Sequence, residues 1–145
     1  MMTKVAGIWM VTVGLVACTA APPREIVIPA TDYAFTLPSK ELPAGPTQFR
    51  IDNKGKVPHE MALGQLNAGV TADSVLAYAT RGGDPGDLAD GVIGILIARP
   101  GTQSMGSLSA NLVAGRTYMM LCNFKDSDSL PPHMAMGMVA SFVAK

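Results

Sequence analysis

One short segment near the C-terminus carries a thiolate, an imidazole and three thioethers: Cys122, His133, Met134, Met136 and Met138. All three kinds of group bind copper. A thiolate and two imidazoles in a trigonal array, with a weak and long thioether contact, suit Cu(I) and Cu(II) alike and are typical of electron-transfer copper sites. The second imidazole would come from His59, the one other histidine of the chain. The residue types therefore indicate a copper site made by Cys122, His133, His59 and one thioether.

The elements that must position these groups are short β-type runs. From Arg24 onward, such runs are separated by Pro, Gly and Asn, a pattern typical of a sandwich. We predict strands over 24–28, 33–37, 47–52, 60–66, 91–98, 102–112, 117–122 and 138–144. One helix is predicted over 71–80, N-capped by Thr71 and laid against one edge of the sandwich. The expected fold is an all-β, Greek-key β-sandwich with one short helix.

This fold is needed to bring the metal ligands together. His59 lies 63 residues before Cys122 in the sequence. We expect His59 where a turn leads into a strand, and Cys122 at the end of another strand. In a Greek-key sandwich the loops cluster at the two ends, so these residues can meet there.

Several motifs together resemble the cupredoxin family, which holds type 1 (blue) copper. They are Phe35-Thr36-Leu37, Leu42-Pro43-Ala44-Gly45, residues 53–60, residues 118–122 and the ending His133-x-x-x-Gly137-Met138. The resemblance to bacterial members runs from about Glu25 to the C-terminus. It implies a cupredoxin-like fold with His59, Cys122, His133 and Met138 as copper ligands. Met138 is preferred over Met134 and Met136 because a glycine precedes it and a strand follows it.

The sequence departs from this family in the ligand loop. Ten residues separate Cys122 from His133, whereas the usual cupredoxin loop has only a few. Residues 125–129 are predicted to form a solvated excursion, and Pro131-Pro132 to stiffen the return to His133. Met61, Met134 and Met136 are expected to surround the site as an apolar collar. A partner would dock near His133, which is expected to be the more exposed histidine.

The N-terminus has the pattern of an export signal. Lys4 precedes an uncharged run over 5–17 that is too short for a permanent membrane span. This run ends in Leu15-Val16-Ala17-Cys18, which resembles a bacterial lipobox. We predict a lipoprotein signal peptide over 1–17, a lipidated tether over 18–23 with the lipid on Cys18, and one domain over 24–145. The protein would be exported and anchored to a membrane by its lipid.

The composition limits the possible functions. Eleven basic and eleven acidic side chains give a formal net charge of zero, so nothing suggests binding to nucleic acid. Charged residues make up 15% of the chain, against about 25% in typical domains, so apolar surface is expected. With Cys18 acylated, Cys122 is the one free thiol in an oxidising compartment, and a metal would protect it.

Two other residue patterns, a possible calcium site and a possible nucleophilic dyad, are weaker. Asp84, Asp87 and Asp90 could hold calcium, but they lack a clear ligand spacing, so an ordinary loop is the better interpretation. Cys122 with a histidine could form a nucleophilic dyad, yet no orienting acid or oxyanion motif accompanies it. No enzyme activity is predicted.

The leading hypothesis is a one-electron carrier that holds copper and works with a redox partner protein. A second hypothesis, motivated by the long polar loop and the methionines, is a Cu(I) carrier or storage protein that delivers copper to an accepting protein or confers resistance. A third is a metal-free interaction module with the same fold.

Overall fold

The computed structural model describes residues 22–145. The predicted signal peptide, Cys18 and most of the tether lie outside the described residues. Among the described residues, no helix is long and apolar enough to cross a membrane.

Two β-sheets pack face to face, and nine strands between residues 22 and 145 form them. The strands are β1 (Arg24–Thr31), β2 (Ala34–Phe35), β3 (Glu41–Leu42), β4 (Gly45–Asn53), β5 (His59–Leu66), β6 (Ala89–Ala98), β7 (Leu108–Leu112), β8 (Thr117–Leu121) and β9 (Val139–Ala144). The first sheet has the order β2-β1-β4-β7, and the second has the order β3-β9-β8-β5-β6. The β1–β4 and β3–β9 pairs are parallel, and the other pairs are antiparallel. The prediction of an all-β sandwich is confirmed.

The core lies between the two sheets and follows from the alternation of apolar side chains. In β1, Ile26 and Ile28 point inward while Val27 is exposed, and in β4 Phe49 and Ile51 alternate in the same way. The second sheet contributes Tyr118 and Phe142, whose rings stack with centroids 5.4 Å apart. Each fully buried large apolar side chain stabilises the fold by about 1.5–3 kcal/mol. This core holds the strand ends in fixed positions.

The one α-helix of the described part of the chain, α1, spans Ala72–Thr80 and joins β5 to the segment before β6. Thr71 is its N-cap as predicted, and it shares a capping box with Ser74. The helix buries Val75 in a cluster with Met119 and Leu121. These two residues alternate with the inward-facing Tyr118 and Met120 of β8. The helix therefore covers the outer face of the second sheet, and the predicted packing against an edge is wrong.

The strands differ from the predicted ones where tertiary contacts override local pattern. The predicted strand over 33–37 shrinks to two residues because Tyr33 has a φ of +65° and belongs to a turn. The predicted strand over 102–112 begins only at Leu108, and β3 was not predicted. β6 is apolar from Val92 to Ala98 yet lies at the edge of its sheet, with Ile95 and Ile97 each 54% exposed. This exposure confirms the apolar surface expected from the low charge content.

Candidate metal centre

The site lies at one end of the sandwich, where strand β5 of the second sheet begins and strand β8 ends. His59 is the first residue of β5, and Cys122 follows the last residue of β8. These strands pair antiparallel, with Ala62 opposite Leu121. The start of β5 and the end of β8 therefore meet at the same end of the sheet. The sequence-predicted meeting of His59 with Cys122 follows from this register.

The donor atoms of His59, Cys122 and His133 converge to within 4.8 Å of one another. The two Nδ1 atoms of the histidines are 3.2 Å apart, and the Cys122 Sγ atom is 3.4 Å from His133 Nδ1. Two ligand atoms each about 2 Å from one ion, at 120° to each other, would lie about 3.5 Å apart. The spacing therefore fits three ligands of a single trigonal metal ion. Within residues 22–145, this is the one group of His, Cys, Asp and Glu side chains that could hold a metal.

All three donor residues are buried. His59 and Cys122 are fully buried, and His133 is 1% exposed. Burial lowers the pKa of His59, an effect to which a positive charge on His133 adds and which Asp32 partly opposes. Burial also raises the pKa of the Cys122 thiol, against the backbone N–H groups of Glu60 and Phe124. Burial thus favours a neutral imidazole at His59, the form that binds metal.

Hydrogen bonds around Cys122 join the two ligand-bearing strands. The backbone N–H of Glu60 donates to Cys122 Sγ at 3.4 Å, and the backbone N–H of Asn123 donates to Glu60 Oε1 at 2.9 Å. Each residue that follows a ligand is therefore tied to the other strand. An N–H group aimed at sulfur stabilises negative charge on a thiolate.

The long ligand loop is closed at its base by backbone hydrogen bonds. The His133 N–H donates to the Phe124 carbonyl, and the Met134 N–H donates to the Cys122 carbonyl, both at 2.8 Å. The Met138 carbonyl then accepts from the Cys122 N–H at 3.2 Å. Residues 125–131 are largely exposed, as predicted for an excursion. Because the base is fixed, the position of His133 depends on these bonds and not on the number of residues in the loop.

The return segment forms a single 3₁₀ turn over His133–Met136 that was not predicted. Gly137 ends this turn with a φ of +107°, a conformation that side chains other than glycine seldom adopt. The Met138 N–H donates to the His133 carbonyl at 3.0 Å, which fixes Met138 relative to the histidine. The glycine that precedes Met138 is thus needed for the turn that places it.

The methionines occupy different environments. Met138 and Met61 are fully buried in the main core, in the same cluster as Cys122. Met134 is buried in the other cluster, between the second sheet and α1, and Met136 is half-buried. The buried cluster that contains Cys122 therefore includes Met138 and not Met134.

Three residues that the sequence analysis missed lie behind the two imidazoles. Asp126 Oδ1 lies 3.0 Å from His133 Nε2, and the Tyr33 hydroxyl donates to the other oxygen of Asp126. Asp32 Oδ1 lies 3.5 Å from His59 Nε2, although the alignment leaves that nitrogen without a hydrogen bond. No local signal marked these residues, because Asp126 occurs in a polar loop and the other two in a turn far away in sequence.

His133 is not the exposed histidine that the sequence analysis expected. Its side chain is covered by Asp126, and the Tyr33 ring packs edge-on against the imidazole with centroids 5.0 Å apart. The expected exposure of His133 is therefore wrong, whereas docking of a partner near this residue stays a prediction. The inserted loop, which supplies Asp126, is the reason.

The acidic residues Asp84, Asp87 and Asp90 lie in a 3₁₀ turn and at the start of β6, where they have ordinary structural roles. Asp84 accepts from the Gly86 N–H in a 3₁₀ turn, and Asp87 accepts from the Tyr78 hydroxyl. Asp90 accepts from the Gln65 side chain. Each carboxylate thus has a structural partner of its own.

Comparisons with known proteins identify the fold. No protein-family model matches the sequence, and no curated protein matches it. Among solved structures, auracyanin B matches with a TM-score of 0.58 and 20% identity, over 88% of this chain and 92% of that one. Dithionite-reduced auracyanin from Roseiflexus castenholzii matches with a TM-score of 0.54 and 21% identity, over 86% and 99%. Auracyanin A, described as a "blue" copper protein from Chloroflexus aurantiacus, matches with a TM-score of 0.53 and 20% identity, over 86% and 100%.

These matches span nearly the whole length of each auracyanin, so the likeness concerns the complete domain. It agrees with the two-sheet architecture and with the position of the site at one end of the sandwich. The protein has a cupredoxin fold, as the sequence motifs implied.

Proposed function

We propose that the protein is a copper-binding one-electron carrier with a blue copper site. The observation that carries the proposal is the convergence of one thiol and two imidazole nitrogens within 4.8 Å in a buried pocket. This donor set is soft enough for Cu(I) and contains the imidazoles that Cu(II) prefers. The blue copper protein among the similar structures gives independent support for copper as the cofactor.

Each ligand would have a distinct role. His59, Cys122 and His133 would hold the ion in a trigonal array, and Met138 would be the weak thioether ligand. A copper ion held in this way supplies one-electron chemistry between Cu(I) and Cu(II). The protein contributes a fixed geometry: a folded core holds β5 and β8, and backbone bonds hold the loop that carries His133. Burial of all three donors excludes water from the site.

The burial of the methionines in the ligand segment favours electron transfer over Cu(I) storage. A protein that captures Cu(I) at its surface would offer thioethers to solvent, whereas Met134 and Met138 are buried and Met136 is half-buried. The carrier would exchange its electron with a partner protein, not with a substrate.

Visible spectroscopy with Cu(II) tests the proposal directly. The wild-type protein should develop an intense thiolate-to-copper band that disappears on reduction by one electron and returns on reoxidation. Cys122→Ser should abolish the band. Cys18→Ser is the matched control, since it replaces the other cysteine of the chain, which lies outside the proposed site, and should leave the band intact.

Two outcomes would contradict the carrier function. Tight binding of Cu(I) without the band would favour a Cu(I) carrier or storage protein. Binding of neither ion would exclude copper and favour a metal-free interaction module.

The location of the protein is a separate proposal that depends on the sequence alone. Export and lipid attachment at Cys18 would hold the domain, whose first strand begins at Arg24, close to a membrane surface. Cys18→Ser should release the protein from washed membranes, whereas Cys122→Ser should leave it attached. Mass spectrometry of the N-terminal peptide should find a diacylglycerol thioether on Cys18, and an unmodified peptide would overturn this assignment.

A further inference from the structure

The turn that joins β1 to β2 lies behind both histidines of the site. Its two central residues, Asp32 and Tyr33, are enclosed by the pairing of Thr31 with Ala34. Asp32 is next to the outer nitrogen of His59, and Tyr33 reaches His133 through Asp126. A two-residue turn on the other sheet thus contacts the surroundings of both imidazoles.

Asp32 is held in place by the loop that leads to His59. Its Oδ1 atom accepts from the backbone N–H groups of Lys56 at 2.7 Å and Val57 at 3.4 Å. The same oxygen lies 3.5 Å from His59 Nε2. The N–H of Lys56 is the largest cause of the lowered pKa of Asp32, so this carboxylate is ionised at neutral pH. A negative charge beside Nε2 favours the imidazole tautomer with its proton on that nitrogen.

Behind His133, a hydrogen-bonded chain runs from Tyr33 through Asp126 to the imidazole. The tyrosine hydroxyl donates to one carboxylate oxygen, and the other oxygen lies 3.0 Å from His133 Nε2. Since an ionised carboxylate can only accept, His133 donates its Nε2 proton, which leaves a lone pair on Nδ1. This Nδ1 atom is the one that faces Cys122 and His59.

The backbone of Tyr33 supports a specific role for this turn. Among residues 22–145, Tyr33 is the one residue other than glycine with a positive φ, at +65°. Aromatic residues seldom adopt this conformation, and it persists where surrounding contacts determine it. Here it combines a hydroxyl that reaches Asp126 with a ring that packs on the imidazole of His133.

We propose that Asp32, Tyr33 and Asp126 are positioning residues that hold the protons of both imidazoles on Nε2 and thereby direct both Nδ1 atoms at the metal. The inference rests on the proposed copper function, and it adds a role for the inserted loop, which brings Asp126 to His133. A carboxylate behind a ligating imidazole fixes the orientation of the ring and increases its basicity as a ligand.

Two variants with matched controls test the contacts of Asp126 and Tyr33 behind His133. Asp126→Ala removes the carboxylate, and Asp128→Ala makes the same change at an exposed residue of the same loop. Tyr33→Phe removes the hydroxyl, and Tyr78→Phe removes the equivalent hydroxyl that binds Asp87 beside α1. Loss of such outer partners typically weakens metal binding by about 10- to 100-fold. We expect that loss for Asp126→Ala, a smaller loss for Tyr33→Phe, and changes under about twofold for both controls.

Nitrogen-15 NMR of the metal-free protein supplies the second readout. Above about pH 8, where an ordinary imidazole is neutral, the wild-type His133 ring should carry its proton on Nε2. Asp126→Ala should shift the ring toward a mixture of tautomers, and Asp32→Asn should do the same for His59. A general loss of structure would not move single rings in this way.

Either of two results would overturn the proposal. One is a copper affinity of Asp126→Ala equal to that of Asp128→Ala. The other is a wild-type His133 ring with its proton on Nδ1. If the wild-type protein binds no copper, the proposed function fails, while the NMR result still decides whether these residues set the tautomers.

Discussion

The Nδ1 atoms of His59 and His133 face each other across 3.2 Å inside a buried pocket. Carboxylates lie behind both rings, at Asp32 and Asp126, and favour protons on the outer nitrogens. Two nitrogen lone pairs would then point at each other next to a sulfur atom, an arrangement that a cation stabilises. The pocket is thus arranged for a positive ion before one binds.

Copper should therefore stabilise the protein strongly. With free copper at about 1,000 times its dissociation constant, the free energy of unfolding should rise by about 4 kcal/mol. Denaturant titration of the copper-loaded and chelator-treated forms measures this difference. His59→Asn should lose most of the copper-dependent gain. An equal gain in the variant would show that copper binds elsewhere.

Met138 should be the thioether ligand. Met138→Leu preserves side-chain volume, so it should cost less than about 1.5 kcal/mol of stability while changing the visible spectrum and the reduction potential. Met134→Leu is the control, because it makes the same change at a buried residue of the other cluster. If only Met134→Leu alters the spectrum, Met134 is the ligand and the assignment of Met138 is wrong.

The stability of the metal-free protein should fall as the pH drops below about 6.5. Burial lowers the pKa of His59 from 6.5, so the unfolded chain binds more protons than the folded one as the pH falls below that value. The stabilisation that comes from neutral His59 is present above pH 6.5 and is lost below it. The loss is about 1.4 kcal/mol for each unit by which the pKa of His59 in the folded protein lies below its pKa in the unfolded chain. Denaturant titrations at several pH values should show this loss.

The variant His59→Asn separates the pH dependence caused by His59 from that caused by the carboxylates of Asp126 and Asp32. The pKa of Asp126 is lowered from 3.8, mainly by the Tyr33 hydroxyl, and that of Asp32 mainly by the Lys56 N–H. Their contributions are present above pH 3.8 and are lost only at more acidic pH. His59→Asn should therefore remove most of the loss of stability that occurs below pH 6.5 and above pH 3.8. An unchanged loss would assign it to another group.

Gly55 should be needed for the contact between Asp32 and His59. A Cβ atom at this position would lie 2.2 Å from Asp32 Oδ1 and 3.0 Å from His59 Nε2. Gly55→Ala should therefore displace both side chains, with a cost of about 1–3 kcal/mol in stability and about 10-fold or more in copper affinity. Isothermal titration and denaturation measure the two effects.

Gly106→Ala is the matched control, because a Cβ atom there meets nothing within 4 Å. It should change stability by no more than about 0.5 kcal/mol and leave copper binding as it is. Equal effects of the two substitutions would mean that Gly55 matters only for the backbone.

Features that depend on residue type or on near neighbours in the chain could be predicted from the sequence. The copper-binding types at Cys122, His133 and His59 are a matter of composition, and the strands β1 and β4 of the first sheet show period-two alternation. Thr71 marked the start of the helix because capping depends on residues within one turn. The all-β fold followed from such local signals, together with motifs that resemble a known family.

The tertiary structure decided what depends on contacts between distant segments. The register of β5 against β8 brings His59 to Cys122 across 63 residues of sequence, and sequence periodicity carries no information about such register. The same limit hid Asp32, Tyr33 and Asp126, whose proximity to the imidazoles depends on how a turn and a loop pack. His133 was expected to be exposed and is buried for that reason. The sequence by itself determined which atoms could bind the metal, and only the packing of two sheets and one long loop decided how those atoms are held.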